Sequence, residues 1–283
     1  MKLGIFGINQ GALATNPSLL AEVAKAAEDL GYESLWGGEH MCLPSPRVAP
    51  SPAEPTDPLL DPLPALTWAG AHTSKILLGT GILLLPQRNP VALAKEVASV
   101  DVLTGGRFLL GIGVGYLEPE FQAVGVPMEH RGKRADEYLA AMQALWGMEA
   151  PAFQGEFVNF RNVDAYPRPV RREGPPVVMG GHSMAAFRRA VQTADEWYGF
   201  ALDVQRTKAC LAGLTEAQDR HGLGRAKERL PITITPPMAA TPQVVADYAG
   251  IGVGRLNLIA RGAHDRDGYL RFLEANAPAR LVR

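Results

Sequence analysis

The 283-residue chain reads as an α/β protein, a closed (β/α)8 barrel of the TIM type, on three observations. Short apolar, β-rich runs alternate with amphipathic helical patterns eight times along its length. The strand runs are apolar almost throughout rather than at every second residue, the pattern of parallel strands buried on both faces. The length suits one barrel domain over residues 1–283, and 47% hydrophobic residues suffice for its core. A doubly wound open sheet is the alternative arrangement of the same elements.

The units follow in order. "KLGIF" precedes "PSLLAEVAKAAEDLG", where Leu20, Val23, Ala24, Ala27 and Leu30 recur at helical spacing and Gly31 is placed to end the helix. "ESLWGGEH" leads through a long loop to "PALTWAGAHT", and "KILLGTGILLLP" leads to "NPVALAKEVASVDVLTGG". "RFLLGIGVG" is the fourth strand, and its helix "EHRGKRADEYLAAMQALWG" carries Tyr138, Leu139, Met142, Leu145 and Trp146 on one face. "PPVVMGG" with "SMAAFRRAVQTA" and "EWYGF" with "DVQRTKACLAGLTEAQDRHG" are the fifth and sixth units. "LPITIT" with "TPQVVADYAGIG" and "RLNLIA" with "GYLRFLEANA" complete the eight.

Two insertions interrupt this alternation, after strands two and four. Residues 44–64, "PSPRVAPSPAEPTDPLLDPLP", are too rich in proline for a helix. They read as extended chain forming a loop over the barrel mouth, a domain linker being the alternative. Residues 147–174 alternate apolar residues around "QGE" and read as a short β excursion ending in proline-rich coil. This segment is expected to cover one side of the barrel or join a subunit contact.

Composition narrows the function classes. A formal charge of −1 without long charged runs draws the chain to neither nucleic acid nor an anionic membrane, so the expected partner is a small molecule. Cys42 and Cys210 match no metal or redox spacing, as in a reduced compartment, and no metal site is expected. "MKLGIFGINQGALA" imitates a signal peptide, but Asn9 and Gln10 break an apolar patch already too short. No run approaches the ~20 apolar residues of a membrane span, and a cytoplasmic location is expected.

"GGRFLLGIGVGYLEPEF" places Gly111, Gly113 and Gly115 at alternate positions, as a dinucleotide-binding fingerprint would. That fingerprint needs G-x-G-x-x-G opening directly into a helix. Here Tyr116 takes the third glycine position, and "EPEF" intervenes before any helix. These glycines therefore read as close packing within a strand or as room at its end.

"SLWGGEHMCLP", the stretch from "LLGTGILLLPQRNP" through "GIGVGYLEPEFQAVGVPMEHRGKRADEYLAAMQALW", and "PPVVMGGHSMAAFRRAVQTADEWYGF" together resemble the luciferase-like oxidoreductase superfamily. Within it they most resemble the branch that uses the deazaflavin coenzyme F420. The likeness runs from residue 1 to about 260 and rests on the ordered series of motifs. It implies a (β/α)8 barrel, a homodimer, and a flavin or deazaflavin at the C-terminal mouth. It further implies an oxidoreductase moving a hydride between coenzyme F420 and a small organic substrate. An FMN-dependent luciferase-like monooxygenase is the second reading, and a non-catalytic cofactor-binding barrel the third.

Strand ends and the following helix starts meet at one face of a barrel, and three candidate sites fall there. His40, beside Glu39, ends the second strand, and an imidazole titrating near neutral pH suits proton transfer. The resemblance implies a catalytic or substrate-facing role, whereas the residues alone also fit a loop histidine satisfied by carbonyls. In "MGGHSM", Gly180 and Gly181 admit close approach, Ser183 can cap the next helix, and the amides of His182 and Ser183 can face an anion. That suits a cofactor phosphate, although an ordinary capped turn would look the same.

The third site lies between these two. Gly81 and Ile82 interrupt strand three, and Gly81 inside a buried strand signals a bulge or a close approach. The resemblance implies a cis peptide between them, backing a cofactor ring. Gly113, Val114 and Gly115 end strand four and would offer a flat ring a wall free of side chains, while His130 and Arg131 could face the cofactor's polar tail. Lys133 and Arg134 read as a solvated helix start paired with Asp136 and Glu137. Some sugar-phosphate dehydrogenases of the superfamily carry an acid where this chain has Tyr116, with Glu118 and Glu120 just beyond, so the general acid stays open.

Overall fold

The computed structural model describes residues 1–222, 224 and 229–282. Among the described residues, eight parallel strands form a ring: β1 (Lys2–Phe6), β2 (Ser34–Gly37), β3 (Leu77–Thr80), β4 (Phe108–Gly113), β5 (Val177–Gly180), β6 (Glu196–Phe200), β7 (Ile232–Thr235) and β8 (Arg255–Ile259). Each pairs with the next, and β1 closes the ring against β8 with Lys2 opposite Arg255 and Phe6 opposite Ile259. The expected (β/α)8 barrel is thus the observed fold.

Helices α1 (Pro17–Asp29), α2 (Pro62–Ala71), α3 (Pro90–Leu103), α4 (Arg131–Gly147), α5 (Met184–Thr193), α6 (Val204–His221), α7 (Pro242–Gly250) and α8 (Arg266–Ala275) surround it. Their starts are written in the sequence. Asn16, Asp61, Asn89, Ser183, Asp203, Thr241 and Asp265 each accept a first-turn N–H, and proline opens α1, α2, α3 and α7. Gly31, with φ +83°, ends α1 as its position suggested. Only the start of α4 lacks a side-chain cap among these helices, its N-cap being His130 in the left-handed region at φ 58°.

A polar plug closes the N-terminal end of the barrel. The buried Arg255 guanidinium reaches Glu33 at 2.6 Å, Glu196 at 2.5 Å and the Thr233 hydroxyl at 2.9 Å, beneath the Trp36 ring. Burial alone would lower the Arg255 pKa, but the two carboxylates outweigh it and push it upward. With this end filled, the barrel opens at the strands' C-terminal ends.

Both insertions are present. Asn9 Nδ2 donates to Gly38 O at 2.8 Å and to Leu60 O at 2.6 Å, clamping both ends of the 38–61 loop to the β1 exit. The second contains a hairpin of Phe153–Gln154 and Asn159–Phe160. Glu137 on α4 accepts the N–H groups of Glu156, Phe157 and Val158 at 2.6–2.9 Å, fixing the hairpin to the flank of the barrel. Three boundaries differ from expectation. β2 stops at Gly37, so His40 lies in the loop beyond it; β4 stops at Gly113, so Val114 and Gly115 lie beyond it; and "EPEF" belongs to a helical turn, Glu118–Ala123. Among the described residues, no helix is long and apolar enough to cross a membrane.

Candidate active site

β3 ends at Thr80, leaves the sheet through a cis Gly81–Ile82 peptide, and rejoins it as Leu83–Leu84 beside Ile112 and Gly113 of β4. The β4 glycines answer to this excursion. A Cβ at Gly111 would collide with the Thr80 carbonyl oxygen, and one at Gly113 with Ile82 Cδ1. The Thr80 hydroxyl donates to Gly111 O at 2.7 Å and accepts the Gly111 N–H at 2.8 Å. The alternate glycines therefore make room for the bulge of the neighbouring strand. This corrects one expectation: the wall at Gly113 is not bare, because Ile82 fills the space beside it, and Ile82 also lies beside Gly180, its Cγ2 3.0 Å from where a Gly180 Cβ would sit.

Above the bulge lies a cavity of about 1160 Å³, lined by residues following every strand except β7 and by the 38–61 loop. Eleven of the thirteen predicted residues reach it: Glu39 and His40; Gly81 and Ile82; Gly113, Val114 and Gly115; and Gly180, Gly181, His182 and Ser183. Ile82, Phe6 and Tyr198 form an apolar floor, and Leu43, Pro52, Ala53, Pro58 and Leu59 roof it from the loop. The proline-rich insertion thus does overhang the mouth.

His40 and Glu39 part company here. The His40 side chain is 15% exposed, on the cavity wall, with Tyr116 edge-on at 6.0 Å. Its Nδ1 lies 3.4 Å from Glu120 Oε2, and the other Glu120 oxygen accepts the Met41 N–H at 2.6 Å. Glu39 is instead occupied structurally: its carboxylate accepts the Leu84 N–H at 2.5 Å and Arg88 Nε at 2.8 Å. Burial pushes its pKa up against the pull of Arg88. Arg88 also bridges to Asp61, the cap of α2. Glu39 therefore braces the bulge and the loop end, and has no oxygen free for the catalytic part expected of it.

The opposite end of the cavity suits an anion. Ser183 accepts the Ala186 N–H at 3.3 Å, Gly181 sits at φ +113°, and the first amides of α5 lie with the helix dipole. His182 is turned aside: its Nε2 accepts the Phe200 N–H at 3.3 Å, and burial with Arg206 nearby lowers its pKa. Arg189, one turn further along α5, lines the cavity with its side chain 9% exposed. It shares Asp136 with the more exposed Arg188.

His130 and Arg131 stand outside the cavity lining, contrary to expectation. The chain doubles back after Glu118–Ala123, which puts the start of α4 behind Gly115, and Arg131 Nε donates to Gly115 O at 3.2 Å. Arg134 is not solvated either; it is buried, donates to Pro127 O at 2.8 Å and stacks on Phe157, while Lys133 pairs with Glu156. Sequence reasoning missed Arg189, and it named Glu120 as an acid beyond the β4 glycines without placing it against His40. "FRRA" looks like a solvated helix face, and Glu120 lies 80 positions from the histidine it meets.

Fold and site together define a barrel scaffold with a deep mouth cavity, an imidazole on its wall and the start of α5 across from it. The luciferase-like monooxygenase family model matches residues 1–279, and the chain belongs to that family, whose members are oxidoreductases and monooxygenases. It is 32% identical over 267 residues to an uncharacterised protein of Mycobacterium tuberculosis, covering 90% of this chain and 92% of that one. It is 34% identical over 131 residues to an FMNH2-dependent dimethylsulfone monooxygenase of Pseudomonas putida, 45% of this chain and 36% of that one. Its fold superposes with a TM-score of 0.79 on an F420-dependent secondary alcohol dehydrogenase in complex with an F420–acetone adduct, at 16% identity and 98% coverage of both chains.

Proposed function

We propose that the protein is an oxidoreductase that moves a hydride between coenzyme F420 and a small organic substrate, with His40 handling the accompanying proton. The observation that supports this most is an imidazole on the wall of a largely apolar cavity, backed by a buried carboxylate. The residues present fit the coenzyme. Ile82, Phe6 and Tyr198 give an apolar floor, and the α5 amides with Arg189 suit a phosphate. Bound there, the deazaflavin would supply a carbon-centred hydride carrier that reacts poorly with oxygen. The chain's own part is to hold the substrate between the floor and His40, to exclude water with Leu43, Pro52 and Leu59, and to take or return a proton at the substrate oxygen.

A second reading, an FMN-dependent monooxygenase, draws support from the partial identity to the dimethylsulfone enzyme. Turnover separates the two. Substrate-dependent reduction of F420 under argon is expected, and oxygen uptake driven by reduced FMN would favour the second reading. His40→Ala should lower kcat with little change in coenzyme affinity. Gly181→Val, at a φ that disfavours side chains, should weaken coenzyme binding first. Equal, small effects of both substitutions would overturn the assigned roles.

A further inference from the structure

We infer that Glu120 is the positioning residue that fixes which nitrogen of His40 faces the cavity, an inference resting on the reading of His40 as the proton-handling group. The Glu120 side chain is fully buried, at 0% exposure, and among the described residues its only ion-pair partner is His40. A buried carboxylate persists when hydrogen bonds occupy its oxygens. Here Oε1 accepts the Met41 N–H at 2.6 Å and Oε2 meets His40 Nδ1 at 3.4 Å. An ionised carboxylate only accepts, so Nδ1 must carry the proton facing it. In the neutral imidazole this leaves Nε2 as a bare lone pair, the nitrogen a substrate hydroxyl can reach.

Among the described residues, Glu120 is the only carboxylate paired with the ring. Tyr116, edge-on at 6.0 Å, holds its phenol proton, since burial and the Glu120 charge both push its pKa up. The Cys42 thiol is pushed up for the same two reasons. Glu39, next in sequence, is turned away to Arg88 and the Leu84 N–H. The two parts of the pair come from different units, His40 from the exit of β2 and Glu120 from the helical turn after β4. The Met41 N–H bond fixes the carboxylate to the backbone beside the histidine, so ring and carboxylate are held as one unit.

Glu120→Gln makes a sharp test. If the Gln Oε1 keeps the Met41 N–H, the amide NH2 faces Nδ1, which must then accept. The proton moves to Nε2, and the cavity-facing lone pair is lost. Nitrogen-15 NMR of the cofactor-free protein in alkaline buffer, with His40 assigned by its disappearance in His40→Asn, reads this directly. Wild type is expected to show a protonated Nδ1 and bare Nε2, and E120Q the reverse. Glu120→Asp, one methylene shorter, should give a mixture and serves if E120Q does not fold. A protonated Nε2 in wild type, or a tautomer indifferent to both substitutions, would overturn the inference. In turnover, E120Q should lose at least about tenfold in kcat with KM little changed. A swapped tautomer with undiminished turnover would keep the inference and sink the function assigned to His40.

Discussion

Gly113→Ala and Ile82→Val form a double-mutant cycle on the floor of the cavity. An added Cβ at Gly113 would meet Ile82 Cδ1 well inside contact distance, while the next Ile82 atom, Cγ1, lies 3.3 Å away. Overpacking of this kind costs about 1–3 kcal/mol. The stiffening of the unfolded chain on going from Gly to Ala returns about 0.4–1 kcal/mol, because φ at Gly113 is not positive. G113A alone should therefore destabilise by about 1–2 kcal/mol. I82V removes only Cδ1, at a cost of about 0.5–1.5 kcal/mol, lower here because the side chain is half-buried. With the clashing methyl gone, G113A added to I82V should be neutral or slightly stabilising, which makes the coupling energy about 1–2 kcal/mol. Equilibrium unfolding in urea, followed by the fluorescence of the buried Trp36 and Trp197, measures all four corners. Additivity within about 0.5 kcal/mol would refute the claim that the β4 glycines exist to house the β3 bulge.

Three further outcomes follow from the same geometry. Gly111→Ala meets a backbone oxygen and breaks the paired Thr80 bonds, so it should cost at least about 3 kcal/mol and resist rescue by trimming Ile82, as thermal unfolding would show. Glu39→Ala leaves Arg88 with only its more exposed partners Asp61 and Glu96 and the Leu84 N–H unpaired, so it should cost about 1–3 kcal/mol in denaturant unfolding, whereas a catalytic residue would lower turnover with stability intact. Burial alone would raise the Glu28 pKa, but the N–H groups of Ile76, Lys75 and Ser74 outweigh it and bring it to about 2. Its folded value lies below its ordinary 4.5, so the stability it adds is present above pH 4.5 and is lost as pH falls toward 2. A urea midpoint series should show a shallower acid limb in Glu28→Gln.

The barrel was legible because its signals are local. Asn16, Asp61, Asn89 and Ser183 announce helix starts within three residues of the N–H they accept, and apolar strands such as "RFLLGIG" need no distant partner to be recognised. Glycine spacing in β4 showed that space was needed, but what fills it comes from Thr80 and Ile82, about 30 residues away. Glu39 and His40 are neighbours in sequence, yet one turns to Arg88 and the other to the cavity, a difference set by β3 and by the turn after β4. Arg189 is hidden for a similar reason: its neighbour Arg188 reaches the same Asp136 but is far more exposed, a difference that "FRRA" does not carry.

Cofactor preference bears most directly on the proposed chemistry. Titrating the purified protein, stripped of bound ligand, with coenzyme F420 and with FMN by calorimetry should give clearly tighter binding of F420, and Gly181→Val should weaken it. Purification with stoichiometric FMN, or tighter binding of FMN, would contradict the account, and binding of neither would leave a barrel whose cavity serves some other ligand.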